Sequence, residues 1–265
     1  MGKKSLIFLI IVAIGIISVG GYFFFRSVRE EIIEAPMLKK IKTQDKIIVG
    51  TDATYPPMEN IDEEGNFIGM DIDIAREIAS DLGVRAEFRN IIWEEIFDTL
   101  LRGEVDMLIS SITITSERTE KMAFSDPYFN AGQVIVTIID KVDEIRGVED
   151  MAGKKLGVQI ETTSQIEAQK YTDPEQVIAF KNYDLAKEEL LKGRIDAIII
   201  DYPAAVGMVS KEKTLKIIGE PFTQEFYGIA VRKEEKALLG EINKTIRRLK
   251  RENELERIMR RWLTG

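Results

Sequence analysis

The sequence predicts an α/β protein built from two similar lobes with a cleft between them, preceded by an N-terminal transmembrane helix. Three observations predict it. A strand, loop, helix pattern repeats from Lys46 onward, which argues for parallel α/β layers. Two segments echo each other with Gly103 and Gly193 standing 90 residues apart. A nearly unbroken apolar run occupies Leu6 to Phe25.

Composition sets the limits. With 265 residues, 45% hydrophobic and 31% charged, the chain can bury the cores of one large or two modest domains. It has no Cys, so it contains neither a disulfide framework nor a thiol nucleophile. It has no His, which removes the usual triad base and the commonest metal ligand, and most hydrolase mechanisms with them. A net charge of -8 argues against a duplex-binding surface, because phosphate affinity needs clustered Lys and Arg. The basic stretch IRRLKRENELERIMRRW near the C-terminus interleaves Glu at helical spacing and reads as a solvated helix face.

Taken in order, residues 1–25 form the anchor or signal segment. At about 1.5 Å per residue, twenty helical residues reach about 30 Å, the thickness of a bilayer core. Ser18-Val19-Gly20 offers a small-x-small cleavage site, but Tyr22 to Phe25 continue the apolar run past it, so a retained anchor is expected. Lys3 and Lys4 pull the N-terminus inside, while Arg26, Arg29 and Lys39 to Lys42 weaken that orientation signal. Residues 26–45 are charged, lack an apolar stripe wide enough for a core, and read as a stalk.

From Lys46, KIIVGTD reads as a buried strand and MDIDIAREIASDLG as a helix. Ile72, Ala75, Ile78, Ala79 and Leu82 make one apolar stripe, and Gly83 suits a left-handed C-cap. FDTLLRGEVDMLIS (97–110) and AKEELLKGRIDAIII (186–200) share Leu-Leu-basic-Gly followed by a β-branched residue and Asp, each a helix, a glycine cap and a strand. IIVGTDATY (47–55) and KLGVQIETTS (155–164) form a second pair, both strands entering polar loops. Two pairs in the same order argue for two lobes, each a small open sheet.

Open α/β sheets bind ligands beyond the carboxyl ends of their strands, where helix N-termini converge. Those ends supply Asp52 to Tyr55 and Ser110 to Arg118 in one lobe, and Gln159 to Ser164 and Asp201 in the other. Ser110, Ser111, Thr113, Thr115 and Ser116 crowd together just before Arg118. Hydroxyls beside a guanidinium point to a bound anion. Arg118 and Asp201 carry opposite charges on different lobes, so a zwitterion in the cleft would find a partner on each wall.

In TDATYPPMENIDEEGNFIGMDIDIA, SSITITSERTEKMAFSDPYF, KLGVQIETTS and GRIDAIIID, taken in order, the chain from about Lys46 to Leu263 resembles the extracellular solute-binding proteins of polar amino acid ABC transporters. The resemblance implies a two-lobed periplasmic-binding-protein-like fold with a ligand cleft, lobe 1 spanning 46–130 plus 224–265 and lobe 2 spanning 131–223. It implies that Arg118 clamps the ligand α-carboxylate together with the backbone N–H groups of Thr113 and Thr163. The Ser111 carbonyl, the Thr113 hydroxyl and Asp201 would take the α-ammonium, Tyr55 and Trp93 would sandwich the side chain, and Asp52 would reach its distal end. Glu161 departs from the family pattern, which carries Gly in that loop; it could cap the following helix or alter the pocket.

Each residue also has a plainer reading. Arg118 could pair with Glu117 or Glu120 on a helix face, Asp201 could cap the helix after it, Trp93 could be core, and Asp71 is read as a helix cap. The resemblance implies no catalysis, no cofactor, a monomer, and a membrane permease as partner, at the extracytoplasmic face. With no His or obvious Lys beside Asp52, arginine is the expected ligand, then lysine, with glutamine the main neutral rival. The alternatives are a dehydratase on the same scaffold, which would lean on Glu161, Asp52 or a Lys, and a sensor, which would need a second span and a signalling domain after Gly265.

Overall fold

The computed structural model describes residues 36–263, so the apolar run of residues 1–25 and the start of the segment read as a stalk lie outside the described residues. Among the described residues no helix is long and apolar enough to cross a membrane.

Helix α1 (Pro36–Gln44) corrects the stalk reading of residues 26–45. Its Ile41 is fully buried, and Met37 and Leu38 pack against the same core. Lys40 Nζ reaches Asp106 Oδ1 at 3.1 Å. Met37, Leu38 and Ile41 beside five polar residues make too narrow a stripe to be read as core, yet they suffice to dock a nine-residue helix.

Strand β1 (Lys46–Thr51) follows, then the short strands β2 (Thr54–Tyr55), β3 (Glu59–Ile61) and β4 (Phe67–Ile68), helix α2 (Met70–Leu82) and β5 (Arg85–Asn90). Helix α3 (Trp93–Leu101), β6 (Met107–Leu108), α4 (Ser116–Lys121), β7 (Ala123–Phe124) and β8 (Phe129–Asn130) complete the first passage. The apolar stripe expected on α2 is all buried.

Strand β9 (Gln133–Ile138) opens the second sheet. It is followed by β10 (Leu156–Gln159), α5 (Thr163–Ala168), β11 (Val177–Phe180), α6 (Tyr183–Leu191), β12 (Ala197–Asp201), α7 (Tyr202–Lys211) and β13 (Leu215–Ile218). The chain then returns through β14 (Phe226–Tyr227) and β15 (Ala230–Val231) to α8 (Lys236–Arg251) and α9 (Glu254–Leu263).

The strands form two five-stranded sheets, ordered β5-β1-β6-β15-β7 and β11-β10-β12-β9-β13. In each, three parallel strands carry the same arrangement, the first strand lying between the second and third. The echo seen in the sequence is α3–β6 in one lobe and α6–β12 in the other. Its glycines sit in the left-handed region that ends each helix, Gly103 at φ 75 and Gly193 at φ 67, a conformation that favours glycine. The two crossings between the sheets pair with each other, β8 running antiparallel to β14. Both sheets carry apolar clusters on two faces, as doubly covered parallel strands require.

Candidate functional site

The carboxyl ends of β1, β6, β10 and β12 face one another across a cavity of about 400 Å³. Asp52, Tyr55, Trp93, Ser111, Thr113, Arg118, Thr163 and Asp201, all eight site residues expected from the sequence, line it. Parallel strands of two sheets put them there, since each strand ends where its helix begins.

Arg118 sits in the first turn of α4, and its N–H donates to the capping hydroxyl of Thr115 at 3.2 Å. Its guanidinium donates from Nη1 to the Thr113 carbonyl at 2.8 Å and lies over the rings of Trp93 and Phe97, at 5.4 and 5.0 Å. The helix-face pairing fails, because Glu117 pairs with Lys121 instead, at 3.1 Å. Among the described residues Arg118 forms no ion pair. Burial pulls its pKa down to about 10, against the charges of Glu225, Asp201 and Glu117, which raise it. The result is a largely desolvated cation held by π faces and one carbonyl.

Asp201 is the opposite charge. It ends β12 at the N-cap position of α7, yet its side chain makes no capping bond. Oδ2 accepts from the Tyr227 hydroxyl, while buried Oδ1 has no partner. Burial pushes its pKa up to about 7, and Glu225 adds to this; the hydrogen bond from Tyr227, the nearby Gln133 amide and the charge of Arg118 oppose it.

Asp52 is buried at the end of β1 and accepts from Thr54 Oγ1 at 2.8 Å and Gln159 Nε2 at 3.4 Å. Burial raises its pKa, with the Thr54 and Gln159 hydrogen bonds working the other way. Ser111 adopts φ 51, with its N–H bonded to Asp71 Oδ2 at 2.7 Å and its hydroxyl to Glu59 Oε2 at 3.3 Å. Tyr55 bridges the lobes by accepting from the Asp201 N–H at 3.3 Å, and its ring lies 5.5 Å from that of Tyr183. Thr163 starts α5; its hydroxyl accepts from Gln133 Nε2 at 3.1 Å and donates to Glu225 Oε2 at 3.0 Å.

Trp93 is buried at the start of α3, and its Nε1 donates across the cleft to the Glu161 carbonyl at 3.2 Å. Glu161 takes φ 58, the conformation a glycine would hold there, while Thr162 rather than Glu161 caps α5. The cap expected of Asp71 is absent too. Gly69 is the N-cap of α2, and Asp71, fully buried, turns inward to accept from Ser111 N–H and from the Tyr128 hydroxyl at 2.8 Å.

Glu59 was not legible in the sequence as a site residue. It is fully buried, lines the cavity, and accepts from the Ser110 hydroxyl at 3.0 Å. Its pKa is pushed well up by burial and then by the neighbouring charge of Asp71. Asp71 itself rises to about 6 through burial, and among the described residues its Oδ1 has no donor. Tyr183 and Glu225 were missed as well. A tyrosine at the start of a helix and a glutamate beside a connecting strand carry no local signal; Tyr183 lines the cavity, whereas Glu225 lies outside its lining and holds the hydroxyl of Thr163, which does line it.

Residues 47–265 match the bacterial extracellular solute-binding proteins, family 3. The ABC transporter glutamine-binding protein GlnH of Bacillus subtilis (strain 168) is 35% identical over 233 residues, covering 85% of this chain and 84% of that protein. A truncated ArgBP from T. maritima, solved in its arginine-bound form, superposes with a TM-score of 0.76 at 43% identity, over 80% of this chain and 99% of that one. An ancestral amino acid-binding protein, AncCDT-1, described as a precursor of cyclohexadienyl dehydratase, gives a TM-score of 0.80 at 35% identity, over 85% of this chain and 99% of that one. The match over nearly all of the two-lobed region, together with a cleft whose walls carry a cation and a carboxylate oxygen left without partners among the described residues, makes this chain a member of the bacterial extracellular solute-binding proteins, family 3.

Proposed function

We propose that the chain captures a cationic amino acid outside the cytoplasm, arginine before lysine, by closing its two lobes on it, and delivers it to the permease of an ABC transporter. The observation that carries this reading is the pair of unmet charges in one cavity: a guanidinium at Arg118 without an ion-pair partner among the described residues, and a buried Asp201 Oδ1 without a donor. An α-carboxylate completes the first and an α-ammonium the second. A buried ion is costly unless paired and hydrogen-bonded, so the zwitterion supplies what each wall lacks. The hydroxyl and N–H of Ser111 are engaged below the cavity, which leaves its carbonyl for the ammonium.

Those two pairings leave the ligand backbone neutral, so the side chain meets the remaining charge. Asp52 stands at that end with two hydrogen-bond donors and no cation. A carboxylate side chain would be repelled in a poorly screened site, and a guanidinium would pair with Asp52 and lie along Tyr55 and Trp93. Glutamine is the second reading, favoured by the Gln159 amide already donating to Asp52 and by the name of the Bacillus subtilis relative. An enzyme reading rests on AncCDT-1 alone, which is itself named as a binding protein.

Closure is the signal to the permease. A ligand favouring the closed form about 10⁴-fold shifts the population from about 1:99 to about 99:1. The chain works as a monomer, held at the outer face of the membrane by the apolar run from Leu6 to Phe25. Calorimetry across the twenty amino acids, on the parent and on Asp52→Asn, tests the ligand. Arginine should bind best to the parent and lose about tenfold or more in the variant, whereas glutamine should change little. Preference for glutamate, or an arginine affinity indifferent to Asp52, would overturn the cationic reading while leaving amino acid capture standing.

A further inference from the structure

Helix α7 of the second lobe contains a glycine at an interior position, Gly207. Glycine is a poor helix former, and this one is not at a helix end. Its surroundings explain it. A Cβ built on Gly207 would stand 2.7 Å from the carbonyl oxygen of Pro56, 3.2 Å from the Pro56 carbonyl carbon and 3.0 Å from Pro57 Cδ. Those atoms belong to the connection between β2 and β3 in the first lobe, and backbone between two proline rings cannot swing aside as a flexible side chain would.

The contact lies between the lobes, not within one. The contact borders a cavity of about 710 Å³ between the lobes, with Tyr55, Pro56 and Asn60 on one wall and Ala204, Gly207, Met208 and Lys211 on the other. The same face carries the bond from the Asp201 N–H to the Tyr55 hydroxyl, which joins the end of β12 directly to β2. How near α7 comes to Pro56 is therefore tied to whether Asp201 and Tyr55 meet, and both residues line the ligand cavity.

We propose that Gly207 is a positioning residue for closure: the absent side chain lets α7 dock on the Pro56 carbonyl and so brings Asp201 against the ligand-bearing wall of the first lobe. This rests on the reading that the lobes separate when empty and close on an amino acid. A methyl group at this position would be accommodated in the open form and refused in the closed one. Because alanine is the better helix former, the same substitution should not harm the empty protein.

The test is Gly207→Ala and Gly207→Val, compared with the parent by thermal unfolding without ligand and by calorimetry with the amino acid that the parent binds best. Gly207→Ala should unfold without ligand at the parent's temperature or above it, and should bind at least about tenfold more weakly; Gly207→Val should bind more weakly still. A merely structural glycine would lower the unfolding temperature of the empty protein instead, and that result overturns the proposal. So does a parent that binds while Gly207→Ala binds within about twofold of it. A parent that binds no amino acid would overturn the capture reading and this proposal with it.

Discussion

A guanidinium facing two aromatic rings and one carbonyl keeps its charge, but it does so without an anion. Arg118 is in that condition, with Trp93 and Phe97 against its plane and its chain neighbour Glu117 engaged by Lys121. In the empty protein its removal takes away a desolvated charge, so the fold should tolerate Arg118→Ala. In the ligand complex the same removal strands a buried carboxylate, at a cost of about 3 to 5 kcal/mol. Arg118→Ala should thus retain the parent's circular dichroism and unfolding temperature while losing at least about a hundredfold in affinity by calorimetry. Binding within about fivefold of the parent would make Arg118 structural. This residue was legible in the sequence because a lone Arg followed a run of hydroxyls. Glu59, in the same cavity, was not: nothing local marks an isolated glutamate in PPMEN, and only its fully buried position under Ser110 and beside Asp71 brings it into the site.

Among the elements, α1 departs most from what its residues suggest. PMLKKIKTQ is mostly polar, yet Ile41 inserts completely into the core of the first lobe and Lys40 reaches Asp106, which also accepts from the Ile48 N–H at 2.8 Å. A helix that joins strand β1 directly through Asp45 fixes the start of the sheet. Truncating a fully buried isoleucine costs about 2 to 5 kcal/mol, with the lower end expected where a terminal helix can detach. Ile41→Ala should lower stability by about 2 kcal/mol in urea unfolding, with ligand affinity unchanged. An unaltered unfolding midpoint would restore the stalk reading for this segment. Helix α2 behaves as its stripe predicts, and α3 and α6 likewise pack on their strands through residues spaced three and four apart.

For the whole molecule, the cleft gathers carboxyl groups whose pKa values all move upward. Asp201 rises to about 7 and Asp71 to about 6, both first through burial, and Asp52 and Glu59 rise for the same first cause. In the unfolded chain these groups return to ordinary values of 3.8 and 4.5. Between about pH 5 and about pH 7 the folded protein therefore binds more protons than the unfolded one, and its stability falls as pH rises through that window. Exposed carboxylates shifted the other way, such as Glu87 beside Lys46 and Glu104 beside Arg102, act at lower pH and leave this window alone. An α-ammonium needs Asp201 ionised, so ligand binding strengthens over the same range. Thermal unfolding from about pH 5 to about pH 8 should show the empty protein losing stability while the ligand-induced increase grows, and Asp201→Asn should flatten both trends. An empty protein that gains stability from about pH 5 to about pH 7 would contradict the assigned direction.

The residues by themselves determined the layering, because hydrophobic periodicity and glycine caps act locally: the stripe of α2, the caps at Gly103 and Gly193, and the repeated strand, loop, helix order needed no distant partner to be seen. They also marked the strand ends, and with them Asp52, Arg118 and Asp201, because open parallel sheets expose their carboxyl ends wherever they occur. What only the tertiary structure decided depends on groups far apart in the chain. Asp71 turns inward because Tyr128 and Ser111 supply its donors, the pKa of Glu59 is pushed up by its burial and then by the charge of Asp71, and Ile41 is buried because the sheet offers a socket for it. The absence of a side chain at Gly207 acquires meaning from Pro56, 151 positions earlier, since steric refusal exists only when two surfaces meet.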